Sequence, residues 1–173
     1  MDFFGVVQAR RSVRAFGKTP VEHEKLERLL AAARLAPSAG DLQSYRIIVI
    51  EDRDTKAALA AAALDQAFVA EAPVVLVFCA DARRSESRYG RRGADLFCLQ
   101  DATIAACYAQ LAASAQGLAS CWVGAFDETA AAAAVRAPPE LRPVAILPIG
   151  WAAQEPQRPQ RRPLDQLVRR GPW

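Results

Sequence analysis

The sequence has little of what acid–base catalysis, metal binding or secretion would need. It contains a single histidine, His23, among 173 residues, so catalysis by a Ser-His-Asp or Cys-His arrangement is not expected. No two of the four cysteines have the C-x-x-C spacing of zinc and redox sites. We expect them to be buried free thiols in a reducing cytosol. No cationic and apolar leader with a cleavage site is visible, so we expect a cytoplasmic protein.

Two common nucleotide-binding motifs are also missing. The sequence has neither G-x-x-x-x-G-K-[ST] nor a G-x-G-x-x-G that follows a strand. A nucleotide would therefore have to bind by another route.

The charge is modest and unevenly placed. A net charge of +3 does not indicate a nucleic-acid-binding protein, which would concentrate basic residues along one helix or face. The basic residues fall in three clusters, at residues 10–14, 83–92 and 158–170. These clusters are either solvated surface or donors that converge on one anion. For residues 83–92 we expect solvated surface.

The pattern along the chain predicts an α+β fold in one domain, residues 1–173, with a central sheet and a long central helix. Helices are predicted at residues 2–8, from an N-cap at Thr19 to just before Pro37, and at 54–65, 95–116 and 127–136. Strands are predicted at 46–51, 73–80, 120–123 and 144–149. The polar segment 81–95 is predicted as a surface excursion, and the proline-rich tail from Gln154 as extended.

The longest apolar stretch, residues 96–118, is predicted to be a core helix. It contains Gln100, Asp101, Gln110 and Gln116, which a membrane span would have to bury, so no membrane association is expected. Because the helix is apolar on nearly every side, we expect it to lie inside an assembly larger than one chain.

The opening basic cluster could bind phosphate. Arg10, Arg11, Ser12 and Arg14 place three guanidinium groups and a hydroxyl within five residues. Guanidinium groups match phosphate oxygens and keep their charge at any working pH. As a local motif, however, the cluster is more typical of a solvated basic stretch near a terminus.

Four segments in a fixed order resemble the FMN-dependent nitroreductase family. They are RRSVRAF, APSAGDLQSYRIIVI, GLASCWVGAF and PVAILPIGWAAQEPQRPQRRPL, and together they span nearly the whole chain. The resemblance implies a nitroreductase-like fold with a mostly antiparallel sheet flanked by helices and a long central helix at the dimer interface. It also implies an obligate homodimer with FMN at that interface.

The resemblance assigns FMN contacts by matched position. It implies that residues 10–14 and Arg161 hold the phosphate and ribityl chain, with Arg11 near the polar edge of the ring. Residues 37–43 would come from the other subunit, residues 123–124 would lie near the flavin N5, and residues 148–150 would pack near the ring. The assigned residues are Arg10, Arg11, Ser12, Arg14, Pro37, Ser38, Ala39, Asp41, Gln43, Val123, Gly124, Pro148, Ile149, Gly150 and Arg161.

Asp41 departs from the family pattern, which often has asparagine at this position. A carboxylate beside the flavin would oppose the anionic reduced state. The alternatives are that Asp41 caps a turn or pairs with Arg46.

The implied chemistry is ping-pong transfer by the cofactor. NADH or NADPH would pass hydride to FMN and leave, and an electron-poor small molecule such as a nitroaromatic or quinone would then be reduced at the same place. No protein side chain need act as nucleophile or base. The alternatives are an FMN-binding protein that stores or senses flavin, and oxygen-dependent flavin chemistry of the kind found in the family branch that makes the lower ligand of cobalamin. A structural or nucleic-acid-binding dimer without flavin is a further alternative.

Overall fold

The computed structural model describes residues 1–172, and a four-stranded sheet forms its centre. The strands are β1 (Tyr45–Ile50), β2 (Val74–Asp81), β3 (Ala119–Ser120) and β4 (Leu141–Gly150). They lie in the order β1-β2-β4-β3, with every neighbouring pair antiparallel. The four predicted strands are confirmed with shifted ends, and so is the α+β class.

Helices cover both faces of the sheet. The helices are α1 (Phe3–Ala9), α2 (His23–Arg34), α3 (Arg53–Ala62), α4 (Phe68–Glu71), α5 (Ala82–Arg92), α6 (Cys98–Ala115) and α7 (Glu128–Ala134). Short 3-10 turns occur at Ala39–Asp41 and Leu164–Gln166, and one π-helical turn, Gly93–Phe97, joins α5 to α6.

Strand β2 explains why the core has two halves. All eight of its residues are buried. Val74, Leu76 and Phe78 belong to the half that contains α2 and α6. Val75 and Val77, on the opposite face, belong to the half that contains α3, α4 and α7. Side chains alternate between the faces of a strand, so burial on both faces requires the unbroken apolar run that the sequence shows.

Helix α6 packs against the sheet through small side chains. Ala102, Ala105, Ala106 and Ala109 are fully buried, which lets the helix approach β2 and β4 closely. The helical segment 82–115 contains an 18-residue window with a mean hydropathy of 1.2, enough by length and composition for a membrane span. In this fold α6 is a core helix, as predicted.

The end of α6 follows the predicted glycine stop. Gly117 has φ +77°, a left-handed conformation that glycine adopts without a steric penalty. The amides of Gly117 and Leu118 donate to the carbonyls of Ser114 and Ala113 at 3.1 and 2.9 Å. This pattern satisfies carbonyls that the helix end would otherwise leave unpaired.

Two predictions about helices were wrong. Helix α2 begins at His23 with Glu22 as its N-cap, not at Thr19. The Trp151 Nε1 donates to the Pro20 carbonyl at 3.2 Å and holds that residue in the segment that precedes the helix.

Residues 82–92, predicted as a surface excursion, form helix α5, whose N-cap Asp81 accepts from the Arg84 amide at 3.0 Å. Because α5 is polar almost throughout, it lacks the apolar periodicity that predicts a helix.

Because the π turn is closely packed, one methyl group added at Gly93 should destabilise the protein. A Cβ added at Gly93 would lie 2.5 Å from the Ser85 carbonyl oxygen and 2.9 Å from the Tyr89 Cβ. We expect Gly93→Ala to lower the free energy of unfolding by about 1–3 kcal/mol, measured by chemical denaturation. Gly17→Ala is the control, since its nearest contact would be an ordinary 3.7 Å. Equal stability of the two variants would contradict this packing.

The cysteines allow a second test of the packing. Cys79, Cys98 and Cys121 are buried, as predicted, whereas Cys107 is exposed, so the prediction of burial was wrong for Cys107. Burial raises the pKa of the Cys79 thiol to about 11 and also raises the pKa of Cys98 and Cys121.

We therefore expect a thiol reagent at neutral pH to modify at most one cysteine, Cys107, in the native protein. The other three should react only after unfolding, because they are both inaccessible and protonated. Mass spectrometry of the labelled protein identifies the site, and Cys107→Ala should abolish fast labelling. Fast labelling that persists in this variant would show that the core is open.

Candidate functional site

One edge of the sheet brings together three of the four segments singled out in the sequence. Ser12 forms a parallel bridge with Ser120 of β3, and the Val13 amide donates to the Ser120 carbonyl at 3.0 Å. The Cys121 amide donates to the Pro148 carbonyl of β4 at 3.3 Å. Residues 10–14, the β3 segment and the end of β4 are therefore neighbours through backbone pairing.

A cleft of about 830 Å³ lies beside this edge, and we call it the arginine cleft. Four residues predicted to hold a phosphate, Arg10, Ser12, Arg14 and Arg161, line it. The complete lining is Val7, Gln8, Arg10, Arg11, Ser12, Arg14, Pro156, Gln157, Arg158, Pro159, Gln160 and Arg161. The first and third basic clusters of the sequence thus meet in one place.

Arg158 is a residue of the cleft that the sequence analysis did not single out. Its Nη2 donates to the Gln8 carbonyl at 2.8 Å and so ties the tail to the end of α1. Its position in the basic tail, three residues before Arg161, was the only indication available.

Arg11 has a different role from its neighbours in the structure. Its guanidinium donates to the carbonyls of Gln8, Ala9 and Arg10, the last two at 3.1 and 3.0 Å. These contacts cap the carbonyl end of α1, where a cation is favoured. The contact of Arg11 with the flavin ring stays a prediction, and Arg10 and Arg14 are the better placed donors.

The electrostatics of the arginine cleft suit an anion. Among the described residues that line it, none is acidic. Burial raises the pKa of the Cys121 thiol. The positive charges of Arg14 and Arg10 oppose that rise. Guanidinium groups and a hydroxyl are the donors that bind phosphate oxygens, so this set fits the phosphate of FMN.

Residues 37–39 line a second cleft, of about 600 Å³, which shares no lining residue with the arginine cleft. The rest of its wall comes from the π turn and α6, including Phe97 and Asp101. One chain therefore does not bring Pro37, Ser38 and Ala39 to the arginines.

Gln43 and Asp41 belong to the loop that continues from this second cleft. The Gln43 amide donates to the Ser38 Oγ at 2.9 Å, and its side chain donates to the Arg34 carbonyl at 3.4 Å. The proposed pair between Asp41 and Arg46 is wrong, since Arg46 lies 3.6 Å from the Asp81 carboxylate instead. Asp41 itself is exposed.

The remaining residues predicted to contact the flavin lie at residues 123–124 and 148–150, and most of them are buried. The amides and carbonyls of Val123 and Ile146 pair at 3.0 Å in both directions. Pro148 and Gly150 are buried at the end of β4, and Ile149 is fully buried in the core with α6. Only Gly124 is exposed, and it lines a third cleft of about 300 Å³ together with Phe126 and Arg142. The side chain of Ile149 is therefore not available to a ligand.

Comparisons with known proteins agree with the fold and the order of segments. The model of the nitroreductase family matches residues 7–70 and 63–151. A Thermus thermophilus protein named NADH dehydrogenase is 32% identical, over 92% of this chain and 91% of its own. A 5,6-dimethylbenzimidazole synthase of Rhodospirillum rubrum is 35% identical, over 95% of this chain and 85% of its own.

A solved structure supports the same assignment. The FMN-dependent nitroreductase from Clostridium difficile R20291 superimposes with a TM-score of 0.79 at 28% identity, and the match covers 91% of each chain. The predicted nitroreductase-like fold is thereby confirmed. Because the family model covers most of the sequence, the chain belongs to the nitroreductase family.

Proposed function

We propose that the chain is an FMN-dependent oxidoreductase that oxidises NADH or NADPH and reduces an electron-poor small molecule, such as a nitroaromatic or a quinone. The observation that carries the proposal is the convergence of Arg10, Arg14 and Arg161 on one cleft in a nitroreductase fold. The related flavoprotein from Clostridium difficile supports FMN as the cofactor.

In this proposal the arginine cleft anchors the cofactor by its phosphate. Arg10 and Arg14 approach from the sheet edge, Arg161 approaches from the tail, and Ser12 adds a hydroxyl. Their charges persist at any working pH, so anchoring does not depend on titration of these groups. Arg11 and Arg158 keep the end of α1 and the tail in place through the carbonyl of Gln8.

When bound, FMN supplies hydride acceptance from the nicotinamide and transfer of the electrons to the acceptor. Among the described residues, the arginine cleft offers no side chain for acid–base work. His23 is exposed at the start of α2, and the arginine cleft has no acidic lining. The residues therefore bind and orient, and the two substrates use one place in turn, as in a ping-pong mechanism.

We further propose that the working unit is a homodimer in which residues 37–43 of each chain complete the flavin site of the other chain. The separation of the two clefts within one chain supports this arrangement. Exposed apolar side chains on α1 and the tail also support it, since Phe3, Phe4 and Leu164 are 65%, 72% and 73% exposed. Apolar surface of this kind typically belongs to an interface. A cytoplasmic location fits the buried unpaired thiols.

A second candidate function is oxygen-dependent chemistry on the flavin. The observation in its favour is the 35% identity with the 5,6-dimethylbenzimidazole synthase, which extends over 95% of this chain. In that case FMN would be a substrate that oxygen-dependent chemistry converts, and the arginine cleft would hold it by its phosphate. Simple reduction is the first candidate because the described lining of the arginine cleft has donors for a phosphate and no acidic side chain.

Loss of a phosphate contact should weaken flavin binding without unfolding the protein. We expect Arg14→Ala and Arg161→Ala each to raise the dissociation constant of FMN about tenfold or more, because a charge-assisted hydrogen bond contributes about 1.5–3 kcal/mol. Fluorescence titration of FMN measures the constant, and size exclusion checks the dimer. Arg53→Ala, an exposed arginine outside the cleft, is the control. Unchanged affinity in both test variants would refute the phosphate assignment.

The reaction type can be read from the flavin spectrum. We expect the FMN-loaded protein to be yellow, to bleach when NADH or NADPH is added without oxygen, and to regain its colour when a quinone is added. A yellow protein that neither nicotinamide bleaches would be a flavin-storage or flavin-sensing protein. Permanent loss of the yellow FMN absorbance in oxygen, with release of a benzimidazole product, would favour the second candidate. A protein that binds no FMN would refute both.

A further inference from the structure

The loop of residues 38–44 has an unusual backbone. Gly40, Asp41 and Gln43 have φ values of 55°, 55° and 51°. Asp41 and Gln43 carry side chains, for which the left-handed region is disfavoured. A loop with several such residues keeps its shape only where surrounding contacts impose it, and strain of this kind is concentrated at functional sites.

Asp101 of α6 fixes both ends of this loop. Its Oδ1 accepts from the Ala39 amide at 2.9 Å, and its Oδ2 accepts from the Ser44 amide at 3.3 Å. The side chain is 2% exposed on a helix whose other buried residues are mostly alanine. Among the described residues, the four ion pairs do not include Asp101. A buried carboxylate is unfavourable unless hydrogen-bonded, so the loop amides and the carboxylate depend on each other.

Helix α5 holds the middle of the same loop from the outside. The Arg84 Nε donates to the Leu42 carbonyl, and the Arg88 Nη1 donates to the Gly40 carbonyl at 3.1 Å. The Tyr89 hydroxyl occupies the space in which a Cβ of Gly40 would lie. The second basic cluster of the sequence is therefore partly a support for this loop.

We infer that Asp101 is a positioning residue for the flavin site. Through the amides of Ala39 and Ser44 it holds the 38–44 loop, before any ligand arrives, in the shape that meets FMN bound to the partner subunit. Arg84 and Arg88 assist it from the opposite side. The inference rests on the proposed function, which places residues 37–43 at the flavin of the other subunit. A purely structural role for Asp101 would lower stability and leave flavin binding unchanged.

Asp101→Asn tests the inference directly. An amide retains the shape of the side chain but turns an NH₂ group toward one of the two loop amides, so one donor loses its acceptor. We expect FMN affinity to fall about tenfold, the visible circular dichroism of bound FMN to change, and hydrogen exchange at Ala39 or Ser44 to accelerate. Gln110→Met is the matched control, since Gln110 is buried on the same helix and should leave FMN affinity within about twofold, as no loop bond is lost.

A double variant, Arg84→Ala with Arg88→Ala, tests the same loop without disturbing the core. Both arginines are exposed, so the fold should persist while FMN affinity falls several-fold. Arg83→Ala is its control, because Arg83 is exposed on the same helix and makes none of these loop contacts.

The outcomes separate the inference from the proposed function. If the wild-type dimer binds no FMN, the proposed function fails and this inference fails with it. If the wild type binds FMN and Asp101→Asn and the double variant bind it equally well, the inference alone is overturned. If Asp101→Asn does not fold, the double variant decides by itself, and wild-type affinity there overturns the inference.

Discussion

The backbone pairing between residues 15–17 and 151–153 is the interaction on which the arginine cleft depends. The Gly17 amide donates to the Trp151 carbonyl at 2.8 Å, and the Ala153 amide donates to the Ala15 carbonyl at 2.9 Å. These bonds join the beginning of the chain to the end of the sheet. Arg10 and Arg14 precede the junction and Arg161 follows it, so arginines from both ends of the chain line one cleft and can act on one anion.

Backbone pairing links this junction to the core of the fold. Strand β2 is buried on both faces, and β4 pairs with it along its length. The end of β4 then carries β3, and β3 carries Ser12 and Val13. The position of the opening arginines is thus set by successive backbone hydrogen bonds that begin in the core, whereas the tail arginines have only a few contacts, such as the bond from Arg158 to the Gln8 carbonyl.

The sequence predicted those features that local physical rules determine. The buried strand β2 follows from its unbroken apolar run, and the end of α6 from Gly117. The convergence of Arg161 on the first cluster followed only from the resemblance of four segments to a family. Helix α5 was missed because a polar exposed helix has no apolar period. The role of Asp101 could not be predicted, because its partners are amides of Ala39 and Ser44, 62 and 57 residues away, and amides are present in every sequence.

The two halves of the candidate site differ in physical character. The arginine cleft supplies charge from flexible side chains, several of them on an exposed tail. The 38–44 loop supplies shape from a strained backbone, in which the left-handed conformations of Asp41 and Gln43 each cost about 1–3 kcal/mol. Hydrogen bonds to a buried carboxylate contribute about 1.5–3 kcal/mol each, enough to offset that strain. Contacts from Asp101, Arg84 and Arg88 hold the loop within one chain, which lowers the entropy cost of ordering it on ligand binding. In the proposed homodimer, an anion anchor of flexible arginines can therefore suffice, because the 38–44 loop of the partner subunit would supply the shaped surface.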